Sequence, residues 1–285
     1  MVVRIPLWLI LVVGAFIGAL GASAAAAADQ AGGINFWDQH QRMARPTLGE
    51  RQRVRFLTTT DFPPFNFLDS RGKLGGFNVD LARLLCEELG VLERCQIEAV
   101  PFAELASRLE RGDAEAIIAG LSVTAANRSK FGFTGSYFRF PARFVMRRDR
   151  PLPDDALAEM RGRAVGVVEG SAHAAMLAAF FPAAKVVPFK DQGQALDALK
   201  SGTVETVFGD GVGLSFWLES DAAASCCAFA GGPYLSDRFL GEGLAIAVGR
   251  SDAELVRALD YALGQIVAKH RFSELMLRYF PVSPF

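Results

Sequence analysis

The sequence predicts an α/β fold in which two Rossmann-like lobes are joined by a two-strand hinge. Strand and helix patterns alternate along most of the chain, which is typical of mostly parallel sheets covered by helices. The segment LERGDAEAIIAG at 109–120 is echoed by LKSGTVETVFGD at 199–210, and each has a helix end, a glycine, an acid and a buried strand. The alternative is a chance similarity between two α/β units. A late strand pattern at 243–248 would return the chain to the first lobe.

The composition favours a globular protein with enough residues for two packed domains. Of its 285 residues, 51% are apolar and 21% are charged, and the formal net charge is −1. Lysine and arginine are scattered singly, and no basic stripe is interleaved with aromatic residues. We therefore expect no nucleic-acid partner. We also expect the protein to be a monomer.

Residues 1–28 have the pattern of a cleaved secretory signal peptide. Arg4 precedes an apolar run over 5–20, and the small residues at 22–28 suit cleavage. The alternative is a permanent membrane anchor, but the run is shorter than the roughly 20 residues that span a bilayer. We therefore expect an exported protein whose mature chain begins with a flexible lead-in over 29–50.

The stretch 56–89 predicts a strand, a ligand-facing turn and a helix, in that order. The proline pair that follows Phe62 cannot donate ladder hydrogen bonds, so the first strand ends before it. Asn78 is a candidate N-cap for a helix whose leucines follow at helical spacing. Phe62 and Phe65 would then lie at the carboxyl end of a strand, where open α/β sheets bind ligands. The alternative is that both rings belong to the core.

The remaining elements follow the same alternation, with one change of lobe in each direction. We expect the crossings near Arg147 and Glu242, so that the first lobe comprises 51–146 and 243–285 and the second comprises 147–242. Further predicted strands are 96–100, 114–119, 143–148, 164–168, 185–189 and 205–208, and further predicted helices are 104–111, 172–181 and 193–199.

Export to an oxidising compartment favours pairing of the four cysteines. Cys86 lies in the last turns of the first helix and Cys95 just before the next strand. We predict a bridge between them, with a stabilisation of roughly 3 kcal/mol for so short a loop. Cys226 and Cys227 are adjacent, and a bridge between neighbours needs a strained geometry, so we favour two packed thiols there. Two sulfurs without a nearby histidine do not make a zinc site, and no metal is expected.

The motifs DFPPFNF and GKLGGFNVDLA resemble the opening of the family 3 extracellular solute-binding proteins, the amino-acid receptors of bacterial ABC importers. Asn78 stands where an aspartate is commoner in that family. The resemblance covers roughly 53–281. It implies a type 2 periplasmic-binding fold, an amino acid or related small carboxylate in the cleft between the lobes, an ABC permease as partner, and no cofactor.

The resemblance also implies the residues of the ligand site. In the family, a Ser-x-Thr segment and a following arginine hold the ligand's α-carboxylate, a second-lobe turn supplies backbone donors at a helix start, and an acid holds the α-ammonium. The matching residues here are Ser122, Thr124 and Arg128 for the carboxylate, Gly170 and Ser171 for the turn, and Asp210 for the ammonium. Further candidate ligand contacts are Asp61, Phe62, Phe65, Phe102 and Gly120.

Two departures from the family pattern fall within this candidate site. Arg128 follows Thr124 by four residues where the family has three, and Asn127 occupies the expected place. Ala172 stands where relatives often have a hydroxyl. Asp61 is either a contact for a cationic ligand or a cap for its own turn.

Two other function classes remain open. Secreted dehydratases that act on prephenate-like acids share this fold, and the candidate acids or bases for such a reaction are Glu169, His173 and Glu242. The sequence has no G-x-S-x-G motif, and GDGVG is an incomplete dinucleotide fingerprint, so we expect no enzyme. The other alternative is an accessory periplasmic protein that docks a redox or signalling partner.

Overall fold

The computed structural model describes residues 46, 48, 53–153 and 160–285. The expected signal peptide and most of the expected lead-in lie outside these residues. Within the described part of the chain, no helix has both the length and the apolarity needed to span a bilayer.

Strands and helices alternate through the described residues, as the sequence predicts. The strands are β1 Val54–Thr58, β2 Asp61–Phe62, β3 Asn66–Leu68, β4 Leu74–Gly75, β5 Cys95–Ala99, β6 Ala116–Ile117, β7 Phe131–Phe133, β8 Ala142–Arg147, β9 Ala164–Val168, β10 Lys185–Phe189, β11 Thr206–Asp210, β12 Cys227–Tyr234 and β13 Ala247–Gly249. The helices are α1 Phe77–Glu88, α2 Phe102–Glu110, α3 Ala125–Lys130, α4 Ala172–Phe180, α5 Gln192–Ser201, α6 Gly211–Glu219, α7 Asp237–Leu240, α8 Ala253–Ala268 and α9 Arg271–Tyr279.

The first sheet combines strands from both ends of the described chain, in the order β5, β1, β6, β13, β7. β1 runs parallel to β5 and β6, whereas β13 runs antiparallel to β6 and β7. The predicted return of a late strand to the first lobe is confirmed, although β13 is shorter than the expected 243–248. The loops after β1 and β6 lie at the same edge of this sheet, because the carboxyl ends of parallel strands share one edge.

The second sheet has the order β10, β9, β11, β8, β12. β9 is parallel to β10 and β11, and β8 is antiparallel to β11 and β12. We expected the strand at 143–148 in the first lobe and the first crossing near Arg147, and the structure contradicts both. β8 has ladder partners on both sides in the second sheet, so the chain crosses between Phe133 and Ala142.

The chain returns to the first sheet between Tyr234 and Ala247, in the segment that contains Glu242. Near this return, Phe138 and Leu244 form an antiparallel bridge. The two crossing segments therefore lie side by side, which is the arrangement expected of a two-strand hinge.

Helix α1 begins two residues earlier than a cap at Asn78 would require. Its N-cap is Gly76, and Asn78 is a buried residue of the first turn, so the predicted capping role is wrong. Asn78 instead takes part in a buried hydrogen-bond chain. Its Nδ2 donates to Asn66 Oδ1 at 2.8 Å, and its Oδ1 accepts from the Tyr137 hydroxyl at 2.8 Å. Asn66 in turn donates to Thr59 Oγ1 at 2.7 Å.

The disulfide predicted between Cys86 and Cys95 is present and ties the end of α1 to the start of β5. The two thiols expected at Cys226 and Cys227 are instead joined as a vicinal disulfide at the start of β12. The expectation of two thiols was wrong because it considered only the strain of the bridge. It left out the turn before β12, in which Ser225 has a φ of 55°.

Each sheet packs against aromatic side chains. In the first lobe, the Phe138 and Phe280 rings stack with centroids 5.5 Å apart, and Phe77 meets Phe138 edge to face at 6.0 Å. In the second lobe, Phe144 and Phe208 lie 4.6 Å apart. These cores hold the strands whose carboxyl ends carry the candidate site.

Candidate ligand-binding site

The turn after β1 carries Asp61 and Phe62 on the short strand β2. Asp61 is exposed, and Phe62 is half-buried with its ring 4.9 Å from that of Phe65. Gly120, which follows β6, lies against the same ring: a Cβ added at Gly120 would be 3.1 Å from Phe62 Cε1. The predicted contacts Phe62 and Gly120 are therefore brought together at one edge of the first sheet.

Phe65 does not share this position. Its side chain is 1% exposed, and its ring packs edge to face on Phe138, Phe140 and Phe280 with centroids 5.0 to 5.9 Å apart. Since an enclosed ring cannot touch a ligand, the alternative that Phe65 is a core residue is the correct one. Phe102, by contrast, is the first residue of α2 and is 50% exposed.

The segment from Ser122 to Arg128 forms the capped start of α3. Thr124 is the N-cap, and its Oγ1 accepts from the Asn127 backbone N–H at 3.1 Å. Asn127 Nδ2 donates to the Ser122 carbonyl at 2.8 Å, so this side chain supports the turn. Asn127 occupies the place where the resembled family has its arginine, and here it fixes the backbone that presents Ser122 and Thr124.

The Arg128 side chain is half-exposed and contacts Glu242. Its Nη2 lies 2.5 Å from Glu242 Oε2, and its guanidinium carbon is 6.0 Å from the centre of the Phe133 ring. The one-residue shift in register therefore places the guanidinium beside a carboxylate from the segment that returns to the first sheet. From the sequence, Glu242 was only a candidate acid or base and a crossing residue. Its contact with Arg128 could not be predicted locally because the two residues are 114 positions apart.

On the second lobe, Gly170 and Ser171 follow β9 and begin α4. Ser171 is the N-cap: its Oγ accepts from the Ala174 backbone N–H at 3.0 Å and donates to the Val168 carbonyl at 2.7 Å. The backbone N–H groups of a helix's first turn have no partner within the helix, and they favour anionic groups. This start can therefore bind an anion without the hydroxyl that Ala172 lacks.

Asp210 is the last residue of β11 and the N-cap of α6. Its two carboxylate oxygens accept from the Val212 backbone N–H at 3.3 Å and the Gly213 backbone N–H at 2.9 Å. These two contacts fix the orientation of the carboxylate while leaving each oxygen with capacity for another donor. An ammonium group is one such donor.

His173 lies on α4 near Asp210, and its ring meets the Phe208 ring at 6.3 Å. Burial lowers the pKa of His173, and the Asp210 carboxylate partly opposes this change. Burial of the ring therefore favours the neutral imidazole. Among the described residues, no group of three or more His, Cys, Asp and Glu side chains is placed to hold a metal ion.

The chain matches known proteins over most of its length. A sequence model of the bacterial extracellular solute-binding proteins, family 3, matches residues 54–282. The L-arginine-binding protein of Pseudomonas aeruginosa is 32% identical over 84% of this chain and 92% of its own length. The lysine/arginine/ornithine-binding periplasmic protein of Escherichia coli is 26% identical over 80% of this chain and 88% of its own length.

Solved structures agree on the fold. The crystal structure of an ancestral cyclohexadienyl dehydratase superposes with a TM-score of 0.68 at 20% identity, covering 86% of this chain and all of that one. At that identity the likeness concerns the fold and not the activity. The family match and the 32% identical relative, taken with the two-lobed fold, show that this chain belongs to the bacterial extracellular solute-binding proteins of family 3.

Proposed function

We propose that this protein is the periplasmic receptor of an amino-acid ABC importer and that its ligand is an L-amino acid with a cationic side chain, L-arginine being the first to test. Two charged residues of this chain support the proposal: Arg128 in the first lobe and Asp210 in the second. Arg128 lies on α3, which follows β6 of the first sheet, and its side chain reaches Glu242. Asp210 ends a strand of the second sheet. This pair of opposite charges, one on each lobe, is the observation that carries the proposal.

A zwitterion needs such a pair because moving either of its charges out of water is costly unless each gains a charged or multiply hydrogen-bonded partner. The planar guanidinium of Arg128 can grip a carboxylate with two parallel hydrogen bonds. Ser122 and Thr124, in the turn before α3, add hydroxyls. On the other lobe, Asp210 accepts from the α-ammonium, next to the backbone donors that follow Gly170.

The preference for a cationic side chain rests on Asp61 and on the relatives. Asp61 is an exposed carboxylate that directly precedes Phe62 in β2, and an acid and an aromatic ring in one ligand turn suit a guanidinium or an ammonium group. One relative is named for the binding of L-arginine, and another is named for the binding of lysine, arginine and ornithine.

Binding would be read by an ABC permease through a change of shape. A ligand that contacts Arg128 and Asp210 at once favours the form in which the lobes are close together. The crossings before Ala142 and before Ala247 are the two segments in which the backbone would bend.

We propose binding without turnover. Of the three candidate acids and bases, Glu242 is paired with Arg128, Glu169 is exposed after β9, and burial lowers the pKa of His173. The two relatives reported above are named as binding proteins, which supports binding as the function.

A thermal-shift panel followed by calorimetry tests the proposal. The panel contains L-arginine, L-lysine, L-ornithine, L-histidine, L-glutamate and L-leucine, and prephenate is assayed separately for turnover. We expect the largest stabilisation from a cationic amino acid and no consumption of prephenate. Stabilisation by L-glutamate alone would contradict the cationic preference, and turnover of prephenate would favour the dehydratase. No response to any compound would favour the accessory role.

A further inference from the structure

The contact between Arg128 and Glu242 places a carboxylate of the chain on the guanidinium to which we assign the ligand's carboxylate. The Nη2–Oε2 distance is 2.5 Å, and the two side chains are 52% and 42% exposed. Sheet topology places Glu242 at the ligand edge, and the Arg128 side chain reaches it from α3. β13 is antiparallel to β6 and pairs Ala247 with Ile117, so the residues just before β13 lie beside those just after β6.

The backbone of Glu242 is held in place, so this contact does not depend on a loose loop. The Ser136 hydroxyl donates to the Glu242 carbonyl at 2.6 Å. The next residue, Gly243, has a φ of 89°, and a Cβ there would lie 2.2 Å from the Phe138 carbonyl oxygen. The chain therefore presents the Glu242 carboxylate from a fixed point on the returning segment.

The occupied guanidinium atom is one that a ligand needs. Nη2 carries two N–H donors, one that pairs with Nη1 in the end-on grip and one that pairs with Nε in the side-on grip, so Glu242 takes a donor from one of the two grips. Two carboxylates on the same guanidinium also repel each other, because each is a full negative charge within a few ångströms of the other. Glu242 and a bound ligand carboxylate therefore oppose each other whichever pair of donors the ligand uses.

We propose that Glu242 is an internal competitor of the ligand, and that it occupies Arg128 until a ligand carboxylate displaces it. This inference rests on the proposed function, since it assumes that Arg128 binds the ligand. Glu242 thereby sets the affinity of the site: it keeps the arginine ordered in the ligand-free protein and is released when the ligand binds.

The exposure of both side chains limits the strength of this competition. Ion pairs between solvent-exposed groups contribute about 0.2 to 1 kcal/mol, and 1.4 kcal/mol corresponds to a tenfold change in affinity. Losing the competitor should therefore tighten ligand binding by at most about fivefold. Contacts of the ligand with Ser122, Thr124 and Asp210 can offset the free energy of the competing ion pair. Glu242 therefore lowers the affinity without preventing binding.

The test compares Glu242→Gln with the parent protein by calorimetry, using L-arginine as the probe. Glutamine preserves the size of the side chain and removes its charge. We expect the dissociation constant to fall by a factor of about 1.4 to 5. In an Arg128→Gln background the same change should have no effect, because the guanidinium for which Glu242 competes is gone.

Two controls separate competition from a general effect of charge. Glu110→Gln breaks an exposed ion pair of the same lobe, in which Lys130 Nζ lies 3.0 Å from Glu110 Oε1 with 57% and 43% exposure, and it should leave affinity unchanged. L-Argininamide keeps the cationic groups of the ligand but lacks the carboxylate. Its affinity should not rise in Glu242→Gln.

The outcomes distinguish this inference from the function on which it rests. If the parent binds L-arginine and Glu242→Gln binds it equally or more weakly, competition is refuted; weaker binding would make Glu242 a positioning residue for Arg128. If L-arginine and L-argininamide both gain affinity equally, the effect is one of net charge and the inference also fails. A parent that binds no amino acid overturns the proposed function and this inference with it.

Discussion

The Tyr137 hydroxyl donates a hydrogen bond to Asn78 Oδ1 across 2.8 Å, although the two residues are 59 positions apart. Both side chains are fully buried, and burial raises the pKa of Tyr137. Tyr137 lies in the first crossing segment, and Asn78 is bonded through Asn66 to the turn that carries Phe62. The chain of hydrogen bonds therefore connects the candidate ligand turn to the hinge.

Tyr137→Phe should destabilise the protein by about 1 to 3 kcal/mol, because it leaves the buried Asn78 oxygen without this donor. Urea unfolding measures the change, with Tyr261→Phe, on the half-buried face of α8, as the control. If Tyr137→Phe lowers the free energy of unfolding no more than Tyr261→Phe does, the hydrogen bond contributes little to stability.

Ionisation of the Asp260 carboxyl should lower the free energy of unfolding as the pH rises. Burial raises the pKa of Asp260 from 3.8 to about 6, although the Gly135 backbone N–H donates to its carboxylate at 2.9 Å. The folded protein therefore favours the protonated acid more than the unfolded chain does. The resulting stability is fully present below pH 4 and is lost as the pH passes through about 6.

Asp260→Asn removes this ionisation and can still accept from Gly135. We expect its melting temperature at pH 7.5 to exceed that of the parent by about 2 to 4 °C, the shift that about 1 kcal/mol produces in a protein of this size. At pH 3.5 the two proteins should melt together. The same shift at both values would exclude ionisation as the cause.

The Cys86–Cys95 disulfide should stabilise the exported protein by roughly 3 kcal/mol through its restriction of the unfolded chain. Replacing both cysteines with alanine tests this by urea unfolding. Peptide mapping without reductant supplies the independent check: both cysteines alkylatable in the native protein would rule out the bridge.

Ligand should make the protein more compact. A ligand that contacts Arg128 and Asp210 draws the lobes together through the two crossing segments. Small-angle scattering should give a smaller radius of gyration at saturating L-arginine than without it. An unchanged profile would argue against closure while leaving the fold intact.

Much of the fold was predictable because it depends on local patterns. The alternation of strands and helices, the return strand and the Cys86–Cys95 bridge all follow from periodicity and position. The sheet to which a strand belongs does not follow from such local patterns. β8 is buried in the second sheet between two antiparallel partners, and nothing in its own residues distinguishes that place from the first lobe.

Within the candidate site, the sequence identified side chains but not their neighbours. Phe62 and Phe65 are equivalent by composition, yet one lies against Gly120 and the other in the core. Asn78 has the chemistry of a helix cap and is used instead in a buried polar chain. The Arg128–Glu242 contact spans 114 residues and depends on how β13 pairs with β6, which no local pattern reveals.

The central claim is that a zwitterionic ligand is held between Arg128 and Asp210, and calorimetry of L-arginine binding to Asp210→Asn tests it most directly. Asparagine retains the capping role at α6 but loses the charge that faces the ammonium. Asp191→Asn makes the same change at the N-cap of α5 and should bind like the parent. We predict that Asp210→Asn weakens binding by about 2 kcal/mol or more, roughly 30-fold, with folding retained. Binding of L-arginine to Asp210→Asn as tight as to the parent would contradict the claim.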